Sequence, residues 1–244
     1  MSKKVWIDAG HGGKDPGATA NGLQEKDIVL KLSQGIKQQL EAEYEGVEVL
    51  TSRSTDVFLE LSDRTSKANK AGSDILVSIH CNAAGGSGGF ETFRFTNALP
   101  ASVALQNALH REIMSALKPY GVTDRGQKSK NLHMVRESKM PAVLTENLFV
   151  DVAKDAGLLK RQEVLDAIIQ GHVTGVAKHL GLKKREGAGV SKNERDINAV
   201  SPWAASAWKA MTEQGYVDGS RPGAPITREE MAVMLSRFIN NQQK

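Results

Sequence analysis

Apolar and polar positions along the 244 residues follow two alternating periods. "KKVWIDAG" (3–10) reads as a short apolar strand. "KDIVLKLSQGIKQQLEAEYEG" (26–46) carries Ile28, Leu32, Ile36 and Leu40 at four-residue intervals, which predicts one buried helix face ended by Gly46. "VEVLTSR" (47–53) follows as a strand and "LSDRTSKANKAG" (61–72) as a helix. "DILVSIHC" (74–81) is a strand apolar on both faces, as central strands are. This β-α-β-α-β order predicts an α/β sheet. Beyond the glycine-rich 85–89, strands are expected at 90–95, 132–136 and 141–149, with helices near 99–118, 151–160 and 162–180. The strand at 90–95 breaks the alternation, so a mixed twisted sheet flanked by helices is expected.

Pattern also divides the chain. Residues 1–181 form one expected catalytic domain, and the charged, glycine-containing 182–198 reads as a linker. The expected third segment, 199–244, is a small helical domain. Ala204, Trp208 and Met211 share a helical face there. Thr227 and Glu230 stand at capping-box spacing before Met231, Leu235 and Phe238.

Composition narrows the function classes. With 40% hydrophobic and 25% charged residues the chain is globular in type, and its net charge of +4 is scattered. That suits an anionic polymer surface and carries no nucleic-acid signature. A single cysteine, Cys81, excludes an internal disulfide and any site of three or four thiolates. No run approaches the roughly 18 apolar residues of a membrane span, and "MSKKVWID" lacks the apolar stretch of a secretion signal. Synthesis in the cytoplasm and action after release are therefore expected.

Candidate chemistry begins at "WIDAGHGG" (6–13). A phosphate loop would need Gly where Asp8 stands and Ser or Thr where Asp15 stands, and Asp15 also spoils a dinucleotide fingerprint. A metal is the alternative. His11 and His80 both fall at carboxyl ends of predicted strands, where open α/β sheets bind ligands. His110, His172 and His179 lie on predicted helices, as surface or packing residues. Catalytic zinc often takes two His and one carboxylate. Glu25, opening the first helix, faces the same edge, although a helix N-terminus also favours such a charge. Cys81 points away from the face shared by Ser78, His80 and Asn82. Glu146 interrupts the apolar "PAVLTENLF". Buried there, it would gain a raised pKa suited to proton transfer, and otherwise it simply exits into solvent.

"IDAGHGGKDPGA", "EKDIVLKL", "SRSTDVFLELSDRTSKANKAGSDILVSIHCNA" and "PAVLTENLFVD" resemble, in order, motifs of the zinc-dependent N-acetylmuramoyl-L-alanine amidases of the amidase type 3 family. The resemblance implies that His11, Glu25 and His80 bind Zn2+ and that Glu146 is the catalytic glutamate. The implied reaction is hydrolysis of the amide between N-acetylmuramic acid and L-Ala of peptidoglycan by zinc-activated water. On this reading Asp8 either orients a ligand or makes a structural hydrogen bond. Arg53 and Arg64 are candidates for stem-peptide carboxylates or for salt bridges, and Asn82 is a further candidate substrate contact. Two departures are visible: Cys81 replaces a usual small residue, and "TENLFVD" differs from the commoner "VExGFxxN".

The tail resembles S-layer-homology modules, which bind secondary cell-wall polymers, through "SPWAASAW", "GYVDGSRP" and "ITREEMAVMLSRF". One copy is present where several are usual, so a monomer or a homodimer is expected. Trp203 and Trp208 do not share a helix face and form no stacking platform. A phage endolysin or an autolysin is the leading expectation. A zinc peptidase cutting within the stem peptide and a non-catalytic wall-binding protein are the alternatives.

Overall fold

The computed structural model describes residues 2–186 and 205–214. The chain divides into two compact units, Met1–Glu186 and Gly187–Lys244. In the first unit the strands are β1 (Lys3–Ala9), β2 (Thr19–Ala20), β3 (Leu23–Gln24), β4 (Val47–Thr51), β5 (Ile75–Asn82), β6 (Phe90–Arg94), β7 (Asp124–Ser129) and β8 (Ala142–Phe149). Its helices are α1 (Glu25–Glu43), α2 (Leu61–Ala71), α3 (Pro100–Leu117), α4 (His133–Arg136), α5 (Ala153–Leu159) and α6 (Gln162–Leu180).

Six strands form one sheet in the order β4-β1-β5-β8-β6-β7. The first four run parallel, β6 is antiparallel to β8, and β7 is parallel to β6. The sheet is therefore mixed. Side-chain alternation gives its two faces different jobs. Val5, Ile7, Ala9, Ile75, Val77, Ile79, Cys81 and Val143 enter the larger core against α1, α3 and α6. Trp6, Leu76, Ala142 and Leu144 enter a smaller core beside α2 and α4. That second face also carries Asp8, Ser78, His80 and Glu146 toward its carboxyl edge.

Two expectations change. The strand expected at 132–136 is the short helix α4, and the sixth strand is β7 instead. "DRGQKS" shows no apolar alternation because β7 is an edge strand, half exposed along its length. Residues 182–186, expected to open the linker, are tied to the first unit. Leu182 N–H donates to Ala177 O, Lys183 O accepts from Glu45, and Arg185 N–H donates to Glu43 O.

In the second unit the described residues form α7 (Ala205–Glu213), in which Trp208 and Met211 are both partly buried. Trp203, Ala204 and the expected helix containing Thr227, Glu230, Met231, Leu235 and Phe238 lie outside the described residues, as does most of the expected linker. No helix among the described residues is long and apolar enough to cross a membrane.

Candidate active site

The loop leaving β1 is held by two arginines. Arg53 Nε donates to Ala9 O, while its Nη2 donates to Gly10 O and Lys26 O. Arg64 donates to Ala9 O, His11 O and Leu59 O, and pairs with Asp8 at 2.9 Å. Both guanidinium groups are buried, at 3% and 2% exposure. Their donors are spent on backbone carbonyls and, for Arg64, on Asp8, so of the two readings the salt-bridging, structural one describes these arginines, which brace the loop. Asp8 accepts from Arg64 and from Ser78 Oγ at 2.7 Å, which is the structural alternative for this residue. The bracing holds His11 at φ 57, a left-handed conformation that costs a non-glycine residue about 1 kcal/mol or more.

His11, Glu25 and His80 converge, with one ligand atom from each inside a 4.8 Å span. The Glu25 carboxylate is buried, and each of its oxygens meets one imidazole and one backbone donor. Oε1 takes Cys81 N–H and faces His80 Nδ1 at 2.9 Å. Oε2 takes Ala18 N–H and faces His11 Nε2 at 3.1 Å. Burial alone would raise the Glu25 pKa, but the two imidazoles outweigh it and hold the carboxylate well below its usual range. The same contact works in reverse on His80, where Glu25 overcomes burial and lifts the pKa to about 9. His11 is also raised by Glu25 against its burial.

Asp15, weighed in the sequence only against phosphate binding, meets His11 Nδ1 at 2.8 Å and accepts Gly17 N–H. It fixes the ring so that Nε2 faces the cluster. The four-residue spacing of His11 and Asp15 was the available signal. The imidazoles themselves stand edge to face, 4.9 Å between centroids.

Glu146 pairs with His80 across the parallel β5–β8 ladder. Burial pushes its pKa up to about 7. Its Oε2 is buried and has no hydrogen-bond partner among the described residues. Asn82, instead of standing free for substrate, donates to Glu91 Oε1 at 2.7 Å and accepts Ala83 N–H. A cavity of about 390 Å³ opens beside His11 and His80, lined by Phe58, Leu61, Leu132 and Met134 and by His133. His133, not singled out from the sequence, reaches the cavity from the first residue of α4.

The profile of the N-acetylmuramoyl-L-alanine amidase family matches residues 5–178. An endolysin of Bacillus phage SPP1 is 50% identical over 196 residues, covering 80% of this chain and 72% of the relative. A sporulation-specific N-acetylmuramoyl-L-alanine amidase of Bacillus subtilis (strain 168) is 42% identical over 189 residues, 78% of this chain and 72% of the relative. The catalytic domain of CwlV, an N-acetylmuramoyl-L-alanine amidase from Bacillus (Paenibacillus) polymyxa var. colistinus, superposes with TM-score 0.69 at 36% identity. It covers 74% of this chain and 99% of that one. With that sheet order and that carboxyl-edge cluster, the chain belongs to the N-acetylmuramoyl-L-alanine amidase family. Its activity is hydrolysis of the N-acetylmuramoyl–L-alanine amide of peptidoglycan.

Proposed function

We propose that this amidase is a zinc enzyme in which His11, Glu25 and His80 hold the ion and Glu146 carries the proton. The observation behind the reading is the convergence of three donors beside a buried, partnerless carboxylate oxygen. Two ligands about 2.1 Å from a tetrahedral ion lie roughly 3.4 Å apart, close to the 3.1 and 2.9 Å separations between Glu25 and the two rings. Two neutral imidazoles and one carboxylate are also the donor set of hydrolytic zinc sites. The chemistry such an ion supplies when bound is Lewis acidity, which polarises the amide carbonyl and lowers the pKa of water toward about 7.

The rest falls to the protein. Asp15 fixes the His11 tautomer, and Cys81 N–H and Ala18 N–H fix the Glu25 carboxylate. Glu146, whose burial raises its pKa in the metal-free protein, accepts a proton from the attacking water and returns it to the departing L-Ala nitrogen. The lytic setting is that of an endolysin or autolysin, with the C-terminal segment contributing attachment to a secondary wall polymer. Purified walls should release peptides with N-terminal Ala, a strong chelator should stop the release, and zinc should restore it. Full activity in the presence of the chelator would overturn the zinc reading.

A further inference from the structure

On the far side of Glu146 from His80 lies a charge cluster the proposed reaction does not use. Glu91 stands directly opposite Glu146 in the antiparallel β6–β8 register, so both side chains leave the sheet on one face. Glu91 is buried, and its Oε2 takes Arg125 Nε at 3.0 Å and also Lys128 Nζ. Two cations thus share one carboxylate, which leaves a positive charge over. Both come from β7, with side chains 28% and 41% exposed, so solutes can reach them. Arg125 lies over the Phe149 ring at 4.7 Å and Lys128 over Phe93 at 5.8 Å, which orders both side chains. No hydrogen bond among the described residues uses Arg125 Nη2.

Proton chemistry decides which end of the substrate comes here. The group that takes a proton from water returns it to the leaving nitrogen, so that nitrogen lies beside Glu146, and on the side away from His80 the next strands available to the stem peptide are β6 and β7. The first anion along that peptide is on the residue after L-Ala. It is a glutamate joined through its side chain, whose α-carboxyl is either free or capped as an amide. The cavity on the His11 side offers no match, because its lining is largely apolar and Arg64 has spent its donors on the loop.

We propose that Arg125 and Lys128 bind this α-carboxylate and make the enzyme selective for stem peptides in which it is not amidated. The inference rests on the reading of Glu146 as proton carrier. It moves the carboxylate-binding role from Arg53 and Arg64 to a strand that pattern alone does not reveal.

The test is steady-state kinetics on two soluble muramyl peptides that differ only in a free or amidated α-carboxyl at the second stem residue. Wild-type enzyme should prefer the free acid by about tenfold in kcat/KM, carried mainly by KM, as expected for one charge-assisted hydrogen-bonded contact. Lys128→Gln should bring the two substrates to near equality, and Lys128→Arg should keep the preference. Equal kcat/KM for both substrates in the wild type would overturn the proposal. So would losses of equal size on both substrates in Lys128→Gln, the mark of a purely structural cluster. Failure of the underlying reading shows separately, as undiminished turnover of either peptide by Glu146→Gln.

Discussion

His80 and Glu146 occupy paired positions on the neighbouring parallel strands β5 and β8. One sheet register therefore sets both a proposed zinc ligand and the proposed proton carrier. A slip of one residue would send Glu146 to the opposite face. Glu146→Gln keeps shape and removes the proton acceptor. It should lower hydrolysis by about a hundredfold or more, the usual worth of a positioned general base, while bound zinc measured after dialysis stays at the wild-type level. Near-normal turnover would take Glu146 out of proton transfer.

Gly17 has φ +65, and a Cβ there would lie 2.6 Å from Glu25 Oε2 and 2.7 Å from His11 Cδ2. Gly22 has a similar φ of +74 and nothing within 4 Å of the same added atom. Alanine at either position carries a backbone cost of about 1 kcal/mol, but only Gly17→Ala pushes on the proposed ligands. Zinc affinity by chelator competition should fall about ten- to a hundredfold in Gly17→Ala, as when a ligand's support is lost, and hold in Gly22→Ala. Equal affinity in the two variants would show that the glycine serves only the turn.

Much of this was legible in the chain. Continuous apolar runs in 3–10 and 74–81 mark β1 and β5 as buried strands of one sheet, and His11 and His80 at their carboxyl ends are so predicted to share an edge. What pattern could not carry was β7, since an edge strand buries too little to need apolar residues. Without β7, the cluster of Glu91, Arg125 and Lys128 had no visible geometry. Arg53 and Arg64 show a second limit. A guanidinium that braces carbonyls and one that binds a substrate carboxylate look alike in sequence, and only burial and donor use separate them. Asn21 and Gly22 form the turn between β2 and β3, whose strands of two residues each are too short to show an alternation.

His172 is fully buried, with Nδ1 2.8 Å from Ile168 O and Nε2 3.0 Å from Thr145 Oγ1. A carbonyl only accepts, so Nδ1 carries the proton and Nε2 accepts the hydroxyl of Thr145. Burial depresses the pKa to about 4 from 6.5. Between these values the unfolded chain binds a proton that the folded chain refuses. This contribution to stability is complete above pH 6.5 and is lost as pH falls toward 4. The loss should amount to roughly 3 kcal/mol. His11 and His80, raised by Glu25, act with the opposite sign in the metal-free protein. Comparing urea unfolding of wild type and His172→Gln across this range isolates the His172 share. A pH dependence unchanged by the substitution would refute a neutral buried imidazole.

Leu148 sits at φ 67, in the place where the commoner family motif has glycine. The β5–β8 register explains why the backbone turns there. His80 pairs with Glu146 but Asn82 pairs with Phe149, so β8 holds one extra residue. The bulge resets the alternation. Val143 faces the larger core, and after the extra residue Leu148 and Val150 face it as well. Two effects then compete at Leu148. The left-handed conformation costs about 1–2 kcal/mol, while the fully buried side chain is worth about 2–5 kcal/mol on truncation. Burial wins, so Leu148→Gly should destabilise by roughly 1–3 kcal/mol net. Leu148→Ala loses nearly the same burial and keeps the strain. It should therefore be the less stable variant by about 1 kcal/mol, reversing the order that glycine and alanine follow in ordinary helix or strand positions. Denaturant midpoints of the two variants decide it, and alanine proving the more stable would show that Leu148 stores no strain.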